Sequence, residues 1–377
     1  MAITAFEQPI YVTRPFLPPL SRFSKGLEEI WENRWLTNHG PLVQRFEKLL
    51  ADYYETENVC VFNNGTLALQ IGLQALDISG DVITTPFTFV ATTHSLYWNK
   101  IHPVFCDIDP YYYNLDPLKV VEKITPWTTA ILAVHVFGNP CNLEALQEIA
   151  QKHKLMLIYD AAHAFGVQVA NRSIAHFGDM SMFSFHATKL YHSFEGGMLA
   201  FKNSSLKKML NYLKNFGFEN ELEVVMPGTN AKMNEIQALM GILMLEYVDQ
   251  LIEKRKKLTG IYRERLNEIA GISFQKDIPG VRHNYAHMPV RINENEFGMS
   301  RDRLYDELKP YNIFTRRYFY PLVCDYPCYK SVQVSDPLTV ARKVSSEILT
   351  LPLYSDLEAD DVHKICDVLI YMRRKKG

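Results

Sequence analysis

Between residues 59 and 202, short runs of apolar and β-branched residues alternate with stretches whose apolar positions recur every three or four residues. "VCVFNN" (59–64) leads into "GTLALQIGLQAL", "DVITTP" (81–86) into "FVATTHSLYWN", and "HPVFCDI" (102–108) follows. "TAILAVHVF" (129–137) then precedes the amphipathic "NLEALQEIAQKHK", and "LMLIYDAA" (155–162) comes after it. Strands without polar alternation are buried on both faces, and strands separated by helices return in parallel. The pattern therefore predicts an α/β domain with a mostly parallel central sheet covered on both sides. Ligands of such sheets gather beyond the carboxyl ends of the strands. The positions to collect are Asn64 to Thr66, Pro86 to Thr92, His135 to Asn139, Asp160 to His163 and Ser184 to Lys189.

From about Asn230 to Asn267 the pattern predicts one long helical stretch, a natural bridge to a second domain. Beyond it the chain reads as a smaller α+β unit, with "HNYAHMPVRI" as a strand and "SRDRLYDELKPYN" as a capped helix. The expected division is an N-terminal arm over 1–25, a large α/β domain over 26–250 and a small C-terminal α+β domain over 251–377.

Composition narrows the partners. With 377 residues, 47% hydrophobic and 22% charged, the chain is an ordinary globular protein of two or three domains. A net charge of −2 gives no overall field toward nucleic acid or an anionic membrane, so an anionic substrate must be held by a local site. No apolar run reaches the 18 or so residues of a membrane span, and "MAITAFEQPIYVTRPFLPPL" lacks the basic and apolar regions of a signal peptide, so a cytoplasmic location is expected. The six cysteines are scattered, and His94, His135 and His186 lack metal-ligand spacing, so no metal is expected.

Three features carry chemistry. Asn64-Gly65-Thr66 opens a helix whose free N–H groups suit a phosphate dianion, although a turn with an N-cap has the same look. Asp160 ends an apolar strand, where a carboxylate wants a cationic partner; a pyridinium nitrogen of pyridoxal phosphate is one, and a helix N-cap at a strand end is the plainer alternative. Lys189 stands alone in "SFHATKLYHSFEGG", where partial burial would let its amine become neutral and form a Schiff base; a solvated surface lysine is the plainer alternative. Ser184, five residues earlier, can offer its hydroxyl to the same phosphate.

Taken in order, these features sit in "WLTNHGPLVQRFEKLL", "NNGTLALQIGLQAL", "TPFTFVATTHSLYWNKIHPVFCDID", "VHVFGNPCN", "YDAAHAFG", "SFHATKLYHSFEGG", "GTNAKMNEIQALMG" and "TRRYFYPL". On these motifs the chain resembles the DegT/DnrJ/StrS-type sugar aminotransferases over nearly its whole length. The resemblance implies the aspartate aminotransferase-like fold type I and pyridoxal 5′-phosphate as cofactor. It gives Lys189 the Schiff base and the proton shuttle, and Asp160 the pyridinium. His163, where many relatives carry glutamine, would approach the ring hydroxyl, and Phe89 would stack on the ring. Gly65, Thr66 and Ser184 would hold the phosphate. Asn230 would reach the phosphate of the neighbouring subunit's cofactor, which implies a homodimer with shared active sites.

The same resemblance bears on the substrate. His186 followed by Glu195-Gly196-Gly197 is similar to enzymes that aminate C4 of a nucleotide-linked 4-keto-6-deoxyhexose, with dTDP-4-amino-4,6-dideoxyglucose as the expected product and L-glutamate as donor, in O-antigen or other surface-glycan synthesis. Asn38 and Tyr320 match positions lining the sugar site in relatives. Lys232 and Arg316 or Arg317 are candidates for the diphosphate, with surface ion pairing as the alternative. Phe194 departs from the family, which often has glycine there. A UDP-linked sugar, amination at C3, and a non-enzymatic cofactor-binding regulator stay as rivals.

Overall fold

The computed structural model describes residues 3–334 and 336–374. Its centre is a seven-stranded sheet made of β1 (Val59–Phe62), β2 (Asp81–Thr84), β3 (His102–Phe105), β4 (Thr128–Val134), β5 (Met156–Asp160), β6 (Met180–Ser184) and β7 (Gly197–Phe201). The spatial order is β1-β7-β6-β5-β4-β2-β3. All neighbours pair in parallel except β7, which runs antiparallel to both β1 and β6. The carboxyl ends of β1, β4, β5 and β6 therefore share one edge, and β7 starts there.

Helices cover both faces, as the unbroken apolar strands demand. On one side α1 (Leu20–Asn33) and α2 (Pro41–Tyr54) pack with α6 (Glu235–Leu245) over a core that includes Phe46, Phe183 and Met244. On the other, α3 (Gly65–Ala75) and α4 (Ala91–Trp98) join a core around Leu69, Leu132 and Leu199. Helix α5 (Leu143–His153) links β4 to β5, capped by Asn142, whose side chain accepts from the Ala145 amide at 3.1 Å.

The long helical stretch expected from Asn230 onward is two helices. Helix α6 is apolar all round and buried, whereas α7 (Val248–Leu266) carries one buried stripe and a charged outer face. The chain turns at Glu246 and Tyr247 so that the second helix can change surroundings, and the Arg22 guanidinium fixes that corner through Glu246 at 2.8 Å. Val248 and Ile252 of α7 sit in the large core, while Leu258, Tyr262 and Leu266 sit in a second core.

That second core lies under a three-stranded antiparallel sheet of β8 (Ile272–Phe274), β9 (Met288–Ile292) and β10 (Ile348–Leu351), in the order β8-β9-β10. Helix α8 (Ala359–Arg374) packs on α7 beneath it. Phe6 is buried in the same core, and Ile10–Tyr11 pairs in parallel with Ile313–Phe314, so the first residues are woven into the C-terminal unit. The expected capped helix runs over Arg301–Leu308, with the Ser300 hydroxyl accepting from the Arg303 amide at 3.2 Å. Among the described residues, no helix is long and apolar enough to cross a membrane.

Candidate active site

A cavity of about 1180 Å³ opens at the carboxyl edge of the large sheet, where the chain ends each strand and turns. Gly65, Thr66, Phe89, Asp160, His163, Ser184, His186, Lys189 and Lys232 all line it. A second cavity, about 1070 Å³ around Asn114, Cys141, Tyr159 and Asp179, holds none of the predicted residues.

Asp160 is the last residue of β5 and only 5% exposed. Its Oδ2 accepts from the Thr92 hydroxyl at 2.7 Å and its Oδ1 from the Ala162 amide at 3.0 Å. Burial pushes its pKa above the usual carboxylate range, while those two hydrogen bonds and the Lys189 charge oppose the shift. Lys189 stands in the turn after β6, its amide bonded to the His186 carbonyl at 2.9 Å. Its side chain is enclosed by protein yet open to the cavity, and among the described residues its Nζ has no hydrogen-bond or ion-pair partner. Burial pushes the amine down to about 8, with Asp160 pulling partly the other way.

The start of α3 is built by close packing. Asn64 caps α3, its side chain accepting from the Leu67 amide at 2.8 Å, so the first-turn amides of Gly65 and Thr66 have no carbonyl one turn back to bond. A Cβ on Gly65 would stand 3.1 Å from the Ser184 Cβ, and one on Gly197 only 2.7 Å from the Gly65 Cα and N. These two glycines allow the helix end, β7 and the serine hydroxyl to converge on one small volume.

Aromatic groups wall the cavity beside it. Phe89, 59% exposed, stands at the cavity. His163 accepts from the Phe137 amide through Nδ1 at 3.3 Å, stacks with Phe319 at 5.9 Å and lies 4.7 Å from the His287 ring. Burial, then the nearby Lys189, then His287 push His163 well below the usual histidine range, so it is neutral. A buried carboxylate, a partnerless amine that titrates near neutrality and a cradle of helix amides beside a serine form the donor set that pyridoxal phosphate requires.

Other predicted residues fall elsewhere. Asn230 is exposed and outside this cavity, in an isolated bridge with Asn215. Asn38 occupies an exposed left-handed turn at φ 61°. Arg316 is exposed and bonds Thr350 through its backbone, and Arg317 is held by Asp302 at 2.7 Å. Tyr320, 45% exposed, lies under the Arg301 guanidinium, and its neighbours Tyr318 and Phe319 line the cavity in its place. Lys232 donates to the Asn215 side chain at 2.7 Å, and the His186 Nε2 stands 3.4 Å from Glu195 at the mouth. Phe194 takes a left-handed φ of 63°, where glycine is the easier residue, with its ring edge-on to Phe23 at 5.6 Å.

Sequence reasoning gathered Thr92 within the stretch Pro86 to Thr92 but gave it no role, and it missed His287 and Gln237. Thr92 sits in the hydroxyl-rich "TTPFTFVATT", the one local signal that a buried acceptor was near. His287, whose Nδ1 is buried without a partner among the described residues, and Gln237 reach the site only through the tertiary fold.

An amine, a buried carboxylate and a phosphate cradle at the carboxyl edge of this sheet define a fold type I pyridoxal phosphate enzyme. The model of the DegT/DnrJ/EryC1/StrS aminotransferase family matches residues 21–370, and the chain belongs to that family. Its activity is accordingly that of a pyridoxal-phosphate-dependent sugar nucleotide transaminase. The chain is similar to the dTDP-4-amino-4,6-dideoxy-D-glucose transaminase of Shigella dysenteriae, 44% identical over 363 residues, which are 96% of this chain and 99% of the relative. The protein of that name from Escherichia coli is 41% identical over 369 residues, 97% and 99% of the two chains. Among solved structures, DesI in the presence of its TDP-sugar product matches with a TM-score of 0.94 at 34% identity, covering 99% of this chain and 95% of that one.

Proposed function

We propose that this enzyme transfers the amino group of L-glutamate to C4 of dTDP-4-keto-6-deoxyglucose, giving dTDP-4-amino-4,6-dideoxyglucose for O-antigen or another surface glycan. It works in the cytoplasm as a homodimer with shared active sites. The observation that carries the reading is the pair Lys189 and Asp160, brought into one cavity yet not bonded to each other. The naming of the two relatives above 40% identity supports the nucleotide and the carbon.

Pyridoxal phosphate, when bound, supplies an aldehyde and a ring that stores an electron pair while an amino group moves. The chain does the rest. Gly65 and Thr66 amides with the Ser184 hydroxyl would hold the phosphate, and Asp160, kept in place by Thr92 and Ala162, would keep a proton on the ring nitrogen. Phe89 and neutral His163 would wall the ring. Lys189, whose amine is lowered by burial to about 8, would hold the cofactor covalently and would move a proton to and from the substrate carbon. His186, Glu195 and Lys232 stand where the sugar and its diphosphate enter. Asn230, exposed on this protomer, suits a residue that serves the partner's phosphate.

Incubation with glutamate and the dTDP-, UDP- and GDP-linked 4-keto-6-deoxyhexoses, followed by NMR of the product, tests the reading. Turnover of the dTDP sugar with nitrogen at C4 is expected; nitrogen at C3, or preference for another nucleotide, overturns it. Sedimentation of the purified enzyme should show a dimer.

A further inference from the structure

The turn Asn234–Gln237 at the start of α6 bonds the loop before the phosphate helix, the loop that carries Lys189 and the segment that leads into α2. Asn234 and Gln237 form a reciprocal cap: the Asn234 side chain accepts from the Gln237 amide at 2.9 Å, and the Gln237 Oε1 accepts from the Asn234 amide at 3.1 Å. That bond orients the Gln237 side chain and leaves its Nε2 with two hydrogens to place. They go to the carbonyls of Asn63 at 3.2 Å and Glu195 at 2.8 Å. Asn63 directly precedes the cap of the phosphate helix, and Glu195 closes the loop that carries Lys189. Glu235, in the same turn and fully buried, accepts from the Leu42 and Val43 amides at 2.8 and 3.0 Å, and its own amide donates to the Leu36 carbonyl at 3.0 Å, which anchors the loop bearing Asn38.

The β1–β7 ladder ends at the pair Phe62 and Gly197. One step further on, the two backbones diverge, β1 toward the phosphate cradle and β7 back toward the lysine. The Gln237 amide bridges the carbonyls just past the ladder's end, where no backbone donor reaches both. Only a side chain with two N–H groups and an acceptor on one planar carbon can satisfy the cap and both carbonyls together.

We infer that Gln237 is a positioning residue: it sets the spacing between the phosphate cradle at Gly65 and Thr66 and the loop that carries Lys189, and so tunes cofactor affinity through the two loops it joins. The inference rests on the pyridoxal phosphate reading of the site and deepens it. The test compares wild type with Gln237→Glu, which keeps the acceptor and loses both donors, and Gln237→Met, which loses all three bonds. Pyridoxal phosphate is titrated into each apoenzyme and followed by protein fluorescence, with the melting midpoint of each apoenzyme measured in parallel. Both variants should bind the cofactor at least about tenfold more weakly, the scale of two lost hydrogen bonds. A lower melting midpoint with affinity within about twofold of wild type would mean a merely structural role and overturns the inference.

Wild type alone gives a second reading that needs no variant to fold. Adding pyridoxal phosphate should slow hydrogen exchange at residues 195–197 and 235–238 together with 64–67. Protection confined to 64–67 overturns the coupling. Should wild type fail to bind the cofactor at all, it is the underlying reading of the site that falls.

Discussion

Two buried groups of opposite charges in the large domain have opposite habits. Below β1, Glu47 is 8% exposed and Lys214 6%. The Glu47 carboxylate accepts from Lys207 at 2.8 Å, from Lys214 at 3.5 Å and from the Val61 amide at 3.0 Å. Lys214 also reaches the Val61 carbonyl at 3.3 Å and the Cys60 sulfur at 3.1 Å. Every charge there is answered inside the chain. At the carboxyl edge of the sheet, Asp160 is as buried as these and Lys189 is half-buried against the cavity; the amine has no partner among the described residues and the carboxylate holds two neutral donors. A closed cluster stabilises a fold; an open one keeps bonding capacity for a ligand.

The sharpest way to break that comparison is Lys189→Ala. Amino transfer should fall by at least about 10⁴-fold, as when a covalent catalytic group is removed, with the fold kept. Borohydride reduction of the cofactor complex should then label no residue. Asp160→Asn comes next: without the negative charge the ring nitrogen loses its proton, and turnover should drop by about 10²- to 10³-fold while cofactor still binds. A variant within tenfold of wild type would remove Asp160 from the chemistry.

The open cluster also predicts a pH response. Because burial moves the Lys189 amine from its ordinary 10.5 to about 8, capture of pyridoxal phosphate by the apoenzyme, trapped with borohydride, should reach half its maximal rate near pH 8. A midpoint near 10.5 would make Lys189 an ordinary solvated lysine. Glu47 runs the other way. Burial raises its pKa, but Lys214, Lys207 and the Val61 amide outweigh that and hold it at about 2, against an ordinary 4.5. Its folded value is the lower one, so its stabilisation is complete above pH 4.5 and is lost as pH falls toward 2. Glu47→Gln should cost roughly 3 kcal/mol at neutral pH by urea unfolding and leave the pH midpoint of Lys189 capture unchanged.

The contrast also explains what the sequence disclosed. Strand ends are written in local patterns, so Gly65, Phe89, Asp160, Ser184 and Lys189 could be gathered from the runs that precede them, and the structure brings all five to one cavity. The seven-stranded order and the antiparallel β7 could not be read that way, because a strand's partner depends on residues far along the chain. The closed cluster was invisible for the same reason: Glu47, Cys60, Lys207 and Lys214 share no motif and meet only when α2 and the helix Leu206–Leu213 both fold against β1. The continuous helix expected across Glu246 shows the converse limit, since its apolar spacing persists through the break and only the change of neighbours demands a turn. Asn38 and Tyr320 rested on likeness alone and Arg316 on its charge, and in this protomer they lie off the cavity.

The smallest predicted effect probes how the open carboxylate is kept ready. The Thr92 hydroxyl donates to Asp160 and stands 2.9 Å from the Thr88 hydroxyl, a buried relay in which each proton has one place to go. Thr92→Val keeps the shape and removes the donor. A hydrogen bond to a charged group is worth about 1.5–3 kcal/mol, but the Ala162 amide and the ring nitrogen still face the carboxylate, so turnover should fall only about tenfold. The sign of the accompanying pH change is fixed. Thr92 favours the charged form of Asp160, so its loss raises the carboxyl pKa and moves the acid limb of kcat to higher pH. A variant that melts earlier but keeps both turnover and acid limb would show that Thr92 serves only to pack α4, and that the backbone amide alone suffices to hold Asp160 in readiness.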